Sequence, residues 1–226
     1  MECVARPQEG PLAITFKPTL QHVLGFRHGP RAANPPPGNV WDYWRLLSPQ
    51  APEIARLTVE TNFPRLRPSA LRCSQLPRSS MTLGLLWPEL VSEIELDERL
   101  GFAFKDLKTW APIDAYPNAY DMTPQAQHAI QPELVDQCGL GFFEAAKDLA
   151  AKVGVGRAGA MCSHVPYADA GARHARKLLG IREGDGWLPG NGFGSGAFVH
   201  LAFKADGMLA SCDYYPAPKL KKRWFW

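Results

Sequence analysis

Apolar and polar positions alternate with a period of two across residues 197–204 (AFVHLAFK) and 208–215 (MLASCDYY), and Ala205-Asp206-Gly207 separates the two runs. Period-two alternation marks half-buried strands, and Asp-Gly between two such runs is a strong hairpin signal. The pattern predicts a hairpin of 197–205 with 208–215. In its second strand Ser211, Asp213 and Tyr215 share one face, and Cys212 and Tyr214 share the other. A helical period appears instead over 142–153, where Phe143, Ala146, Leu149, Ala150 and Val153 form an apolar stripe. A second helix is predicted over 169–179: Asp169 supplies a cap, Arg173, Arg176 and Lys177 suit the carboxyl-terminal half, and Gly180 stops it.

Elsewhere the pattern is shorter-ranged. Residues 12–17 and 22–26 read as short strands, followed by a breaker-rich linker over 28–39 centred on Pro35-Pro36-Pro37-Gly38. A helix capped by Asn39 or Asp42 carries Trp41, Trp44, Leu47, Ile54 and Leu57, with Pro49 and Pro52 implying a kink or a restart. Residues 65–77 read as basic and irregular, 80–87 and 91–96 as a second hairpin around Pro88-Glu89, and 101–105 as an extension of the sheet. The stretch 110–132 reads as loop. The organisation expected is one domain over 1–226: an irregular segment to 40, a helix–hairpin unit over 41–110, and a second unit with a basic-aromatic tail over 111–226.

Composition narrows the class. With 46% hydrophobic and 21% charged residues the chain is that of a globular protein, and a net charge of +3 argues against a nucleic-acid partner. No apolar run approaches the ~18 residues of a membrane span, and no secretory apolar region opens the chain, so a cytoplasmic location is expected. Five cysteines, odd in number and without motif spacing, are expected to be reduced. Neither CxxC nor HExxH occurs, so neither a metal nor another cofactor is expected. The glycine-rich stretch 190–196 precedes a strand and lacks a P-loop pattern, so it reads as a connection. No serine lies in a nucleophile-elbow pattern. The six histidines, His164, His174 and His200 among them, read as structural or surface residues. The terminal KLKKRWFW either docks on the protein itself or rests on anionic lipid or another protein.

Several segments, in order, resemble the dimethylallyltryptophan synthase family of aromatic prenyltransferases. They are Tyr43-Trp44-Arg45-Leu46-Leu47-Ser48-Pro49, residues 80–87 and 91–97, Cys138-Gly139-Leu140-Gly141-Phe142-Phe143, and the closing hairpin with Tyr214-Tyr215-Pro216. The likeness covers about 41–220 and corresponds to the amino-terminal half of a family member. It implies an α+β fold of repeated helix–hairpin units, with an antiparallel sheet curved into a partial or complete ABBA-type barrel inside outer helices. It also implies an enzyme of secondary metabolism acting on an aromatic, indole-type or prenylated small molecule. In that frame Glu93, Asp213 and Tyr214 are the candidate acids or bases, and Trp44, Thr82, Trp87, Lys105, His200, Lys204 and Tyr215 would line the substrate. The chain departs from the family at Thr82, where a strand glutamate is expected, at Ser92 for an arginine, and at Ser211 and Asp213 for Lys-x-Tyr. A diphosphate cannot be desolvated without compensating positive charge. The expectation is therefore cyclisation or rearrangement of a prenylated aromatic, or prenyl transfer relying on strand-end lysines. The alternative is a non-catalytic half-barrel subunit completed by a partner or by a homodimer.

Overall fold

In a computed structural model, residues 14–32, 46–101, 122–188 and 193–220 are described. Six strands make one sheet: β1 (Gln21–Arg27), β2 (Ala70–Cys73), β3 (Ile94–Leu96), β4 (Ala158–Ser163), β5 (Phe198–Phe203) and β6 (Leu209–Tyr215). Their order across the sheet is β3-β2-β4-β1-β5-β6. Strands β3, β2, β4 and β1 run parallel, and the β5–β6 hairpin is added antiparallel beside β1. Around the sheet lie α1 (Ala51–Asn62), α2 (Pro77–Leu86), α3 (Pro124–Ile130), α4 (Pro132–Val153) and α5 (Tyr167–Leu178).

Alternation along the central strands builds two cores. Leu24 and Phe26 of β1, Ala160 and Cys162 of β4, and Phe198 of β5 pack with Ala55 of α1 and with Leu83 and Leu86 of α2. Val23, Met161, Val199 and Leu201 point the other way, onto Phe142, Ala146 and Leu149 of α4 and Ala168 and Ala172 of α5. Burial on both faces is the rule for parallel strands, and it gives a helix–sheet–helix sandwich. Small residues let α4 approach closely: a Cβ on Gly25 would sit 2.7 Å from Phe142 Cζ, and one on Gly171 only 2.2 Å from Phe142 Cδ1.

This architecture overturns the barrel. Among the described residues the sheet is open, with β3 and β6 at its edges and mostly parallel pairing, and the repeated helix–hairpin units do not occur. The predicted hairpin of 80–87 with 91–96 is replaced by α2, a 3₁₀ turn (Pro88–Glu93) and β3, which pairs with β2. Helix α2 forms because Pro77 opens it and because Ser79, Thr82, Leu83 and Leu86 recur at helical spacing on its buried side. Residues 65–77, read as irregular, contain β2, and the stretch read as loop contains α3. Strand β4 carries the small residues AGAMCS, which give little strand signal. Helix α1 starts at Ala51 with Pro52 in its first turn, which matches the restart reading of that proline. The expected strand 12–17 finds no counterpart in 14–17. The helices expected at 142–153 and 169–179 are present, the first as the latter half of α4, and the closing hairpin is present as β5 and β6. Trp44 and Lys105 lie outside the described residues. Among the described residues no helix is long and apolar enough to cross a membrane.

The close packing of α4 against α5 is testable. Gly171→Ala should cost about 1–3 kcal/mol of stability, because the added methyl meets the Phe142 ring inside a packed core. Urea denaturation of the purified variant measures it; an unchanged midpoint would mean that α4 and α5 do not pack as described.

Candidate active site at the carboxyl ends of the central strands

Parallel register sets Arg27 of β1 beside Ser163 of β4, so the residues that follow, His28 and His164, leave adjacent strands side by side. Their ring centroids are 5.1 Å apart. The chain leaving β1 reaches α1 on one face of the sheet, and the chain leaving β4 reaches α5 on the other. The carboxyl ends of strands between such diverging connections are where open α/β sheets bind ligands.

Four elements converge there. Strand β1 ends in Arg27, with His28 directly after it and Arg31 shortly beyond. Strand β4 delivers His164. Strand β2 runs through Ser74 into α2, whose first turn carries Arg78 and Ser79. Helix α5 brings Asp169 in its own first turn. His28, His164, Arg78 and Asp169 are each at most 4% exposed.

The hydrogen bonds fix orientations. His28 Nδ1 lies 2.7 Å from Gly29 O; a carbonyl can only accept, so Nδ1 carries the proton and Nε2 keeps its lone pair. Gly29 N donates to Thr82 Oγ1 (3.0 Å), which donates in turn to Arg78 O (2.7 Å), tying the histidine loop to α2. His164 Nε2 meets Ser74 Oγ at 2.5 Å and Ser79 Oγ at 2.9 Å, while its Nδ1 has no partner among the described residues. Arg27 donates through Nη1 to Phe193 O, and Phe193 N donates to Asp169 Oδ1 at 2.6 Å. One backbone unit thus links the buried carboxylate to the buried guanidinium. Arg27 Nε and Asp169 Oδ2 have no hydrogen-bond partner among the described residues.

The electrostatics are strongly positive. Burial holds His28 well below the usual histidine value, and the charges of Arg78, Arg27 and Arg31 press it further in the same direction. His164 is lowered by burial first, then by Arg78 and the other cations of the cluster. Both imidazoles are therefore neutral at pH 7. Burial raises Asp169 to about 6, against the opposing pull of Arg27 and the Phe193 N–H. A cluster of cationic groups at one place favours anionic ligands such as phosphate or carboxylate. No group of three metal-binding side chains occurs among the described residues.

The residues singled out from sequence fall in three places. Thr82 is at this site through its bond to Gly29. Tyr214 packs edge-on against Phe193 (5.4 Å), and burial raises its phenol, with Asp169 and Arg27 close enough to act on it. His200, Asp213 and Tyr215 come together elsewhere, lining a separate cavity on the opposite face of β6 from Tyr214. Trp87 is buried in the core beside α2, its Nε1 donating to Leu66 O (3.1 Å). Glu93 is exposed at the end of the 3₁₀ turn, and Lys204 is exposed in the β5–β6 turn. His28, His164, Arg27 and Arg78 escaped the sequence reading, which took its histidines as structural. A signal existed: Arg27-His28-Gly29-Pro30-Arg31 places a histidine among cations directly after an apolar strand, where solvated charge is not expected.

The sheet order, mixed pairing and flanking helices match a phosphoglycerate mutase-like α/β fold found in solved structures. The chain is similar in structure to YhfR of Bacillus stearothermophilus (TM-score 0.54, 14% identity, 84% of this chain and 94% of that one covered). It is similar to a phosphoglycerate mutase from Bacillus anthracis str. Sterne (0.54, 14%, 85% and 91%) and to the alpha-ribazole phosphatase of Shigella flexneri (0.53, 14%, 87% and 95%). No protein-family model matches the chain, and no curated protein matches it in sequence. These likenesses replace the aromatic prenyltransferase resemblance, and with it the expected indole chemistry, prenyl transfer and cyclisation.

The buried groups predict a particular pH response. The histidine values are depressed in the folded state, so below the unfolded value of 6.5 the unfolded chain binds more protons and stability falls on acidification. Asp169 works the other way. Its folded value of about 6 exceeds the unfolded 3.8, so acidification through that window favours the native state. Urea midpoints should therefore drop between pH 7.5 and pH 5, and drop more steeply in Asp169→Asn, where the opposing contribution is gone.

Proposed function

We propose that this chain is a phosphohydrolase that transfers a phosphoryl group from a phosphomonoester to His28 and then to water. The observation that carries the reading is the neutral His28–His164 pair ringed by Arg27, Arg31 and Arg78 at the carboxyl ends of β1 and β4. Support comes also from fold neighbours named as a mutase of a phosphorylated substrate and as a phosphatase.

The roles follow from the hydrogen bonds. His28, with Nδ1–H held by Gly29 O, presents a neutral Nε2 lone pair, the form a nucleophile needs. Attack on phosphorus forms the Nε2–P bond as the ester P–O bond breaks. Arg27 and Arg78 stabilise the charge on the transferring oxygens, and Arg31 adds to the field. With Nε2 of His164 accepting from a serine hydroxyl, its Nδ1–H is left to donate to the same oxygens. The leaving alkoxide needs a proton, and we assign that role to Glu98. It is exposed in a second 3₁₀ turn (Glu98–Leu100), whose Leu100 carbonyl accepts from Ser163 Oγ (2.5 Å), and Gln75 Nε2 donates to its Oε1 at 3.5 Å. Neighbouring Asp97 is instead engaged by Arg72 and Arg99. Water then cleaves the phosphohistidine, returning neutral His28 and inorganic phosphate. The substrate class is accordingly a phosphorylated molecule, and the buried thiols Cys73, Cys138, Cys162 and Cys212 suit the reducing, cytoplasmic setting expected from the sequence.

The test is hydrolysis of para-nitrophenyl phosphate, with acid-labile, base-stable labelling from a radioactive phosphoryl donor. His28→Asn should abolish the label and lower kcat by about 10³-fold or more. Arg78→Ala should weaken competition by inorganic phosphate or vanadate. A folded wild-type protein that neither hydrolyses a broad phosphomonoester panel nor takes up label on His28 would overturn the reading.

A further inference from the structure

At the amino end of β1, roughly 20 Å along an extended strand from His28, a cavity of about 240 Å³ is walled by β1, β5, β6 and the segment before β1. It is separate from the phosphoryl site and plays no part in the chemistry assigned there. His22 and His200 form its floor, their nitrogens Nδ1 and Nε2 2.9 Å apart.

The tautomers are dictated. His22 Nε2 lies 2.9 Å from Lys17 O, a carbonyl that can only accept, so this nitrogen carries the hydrogen. His22 Nδ1 is then an acceptor, and His200 must donate to it from Nε2. That leaves His200 Nδ1 as a lone pair without a partner among the described residues. Burial brings His200 down to about 4 and lowers His22 as well, so both rings are neutral at pH 7. Phe16 stands edge-on to both imidazoles, at 5.0 and 5.5 Å, and holds them in place.

Asp213 sits directly across from His200 in the β5–β6 register, on the same face, and lines the same cavity. The polar wall is thus a neutral nitrogen acceptor beside a carboxylate. An anion would be repelled by Asp213. A metal ion would find too few ligands, since no cluster of three metal-binding side chains occurs among the described residues. An alcohol has one hydrogen to give, whereas an ammonium has three and a charge to match. Lys17 also lines the cavity, but its long flexible stem lets the ammonium turn out to solvent, whereas the short side chain of Asp213 is fixed beside His200 by the β5–β6 register.

We propose that this cavity binds a small primary amine as its ammonium ion, donating hydrogen bonds to His200 Nδ1 and to the Asp213 carboxylate. The proposal does not depend on the phosphatase reading.

Saturation-transfer NMR on the full chain at pH 7 tests it, with propylamine hydrochloride, propan-1-ol and sodium propionate as probes of equal size. Propylammonium should give a saturable signal that propanol and propionate do not give. Asp213→Asn should weaken it by about tenfold, the scale of losing a charge-assisted hydrogen bond. Asp206→Asn, the same charge change in the exposed β5–β6 turn, should leave it intact. Three results would each overturn the proposal: no saturable propylammonium signal, equal signals from propanol, or an equal loss in both variants. Because Asp213 is exposed, its substitution does not threaten folding.

Discussion

Parallel pairing of β1 with β4 is the constraint on which the rest of this molecule depends. It buries two strands on both faces, and so demands helices above and below the sheet. Glycines and small residues on those strands, Gly25 and Gly159 above all, let α4 lie within contact distance of the sheet. The same register aligns Arg27 with Ser163, and the next residue on each strand is a histidine. A slip of one residue would turn every side chain to the opposite face and separate the two imidazoles. Core and site are therefore consequences of one pairing.

That arrangement is costly in isolation. Arg78, His28 and His164 are buried, Arg27 is largely so, and Asp169 is the sole buried carboxylate among the described residues. Taking a charge out of water opposes folding, by several kcal/mol in the general case, and its partners must offset that. The molecule limits the penalty by keeping both histidines neutral and by relaying Asp169 to Arg27 through the Phe193 backbone. What remains is a buried cluster of net positive charge at the carboxyl ends of β1 and β4. Local rules are most visibly broken where function is to be expected.

The parts of the fold that were legible in the sequence are those specified locally. The β5–β6 hairpin follows from alternation around Asp206-Gly207, and Gly207 takes the positive φ of 80° that such a turn requires. Helix α5 was legible from its basic last turn, but the cap read at Asp169 is not made: the helix begins at Tyr167 after Pro166, and Asp169 accepts from Phe193 N instead. Half of α4 was hidden by Gly139 and Gly141, which depress helix propensity; yet a Cβ on Gly139 would lie 2.6 Å from Ala170 O, so the glycine there serves the contact with α5. Strand β4 was invisible because a strand squeezed between helices needs small residues more than β-formers. Helix α2 was misread because Met81, Leu83, Leu85 and Leu86 look like a buried strand when position 78 is not counted with them.

The candidate site was illegible for a related reason. Its groups come from positions 28, 78 and 164, brought together by parallel crossovers that no short-range pattern encodes. An antiparallel hairpin, by contrast, is complete within its own residues and can sit at the edge of many sheets. Residues 198–215 therefore suggested a barrel family while being equally at home beside β1 of a parallel sheet. The same hairpin sends Tyr214 toward Phe193 and the arginine cluster, and Asp213 and Tyr215 toward the cavity floored by His22 and His200. Period-two alternation assigned those faces correctly, while the identity of what each face meets was set by strands far away in sequence.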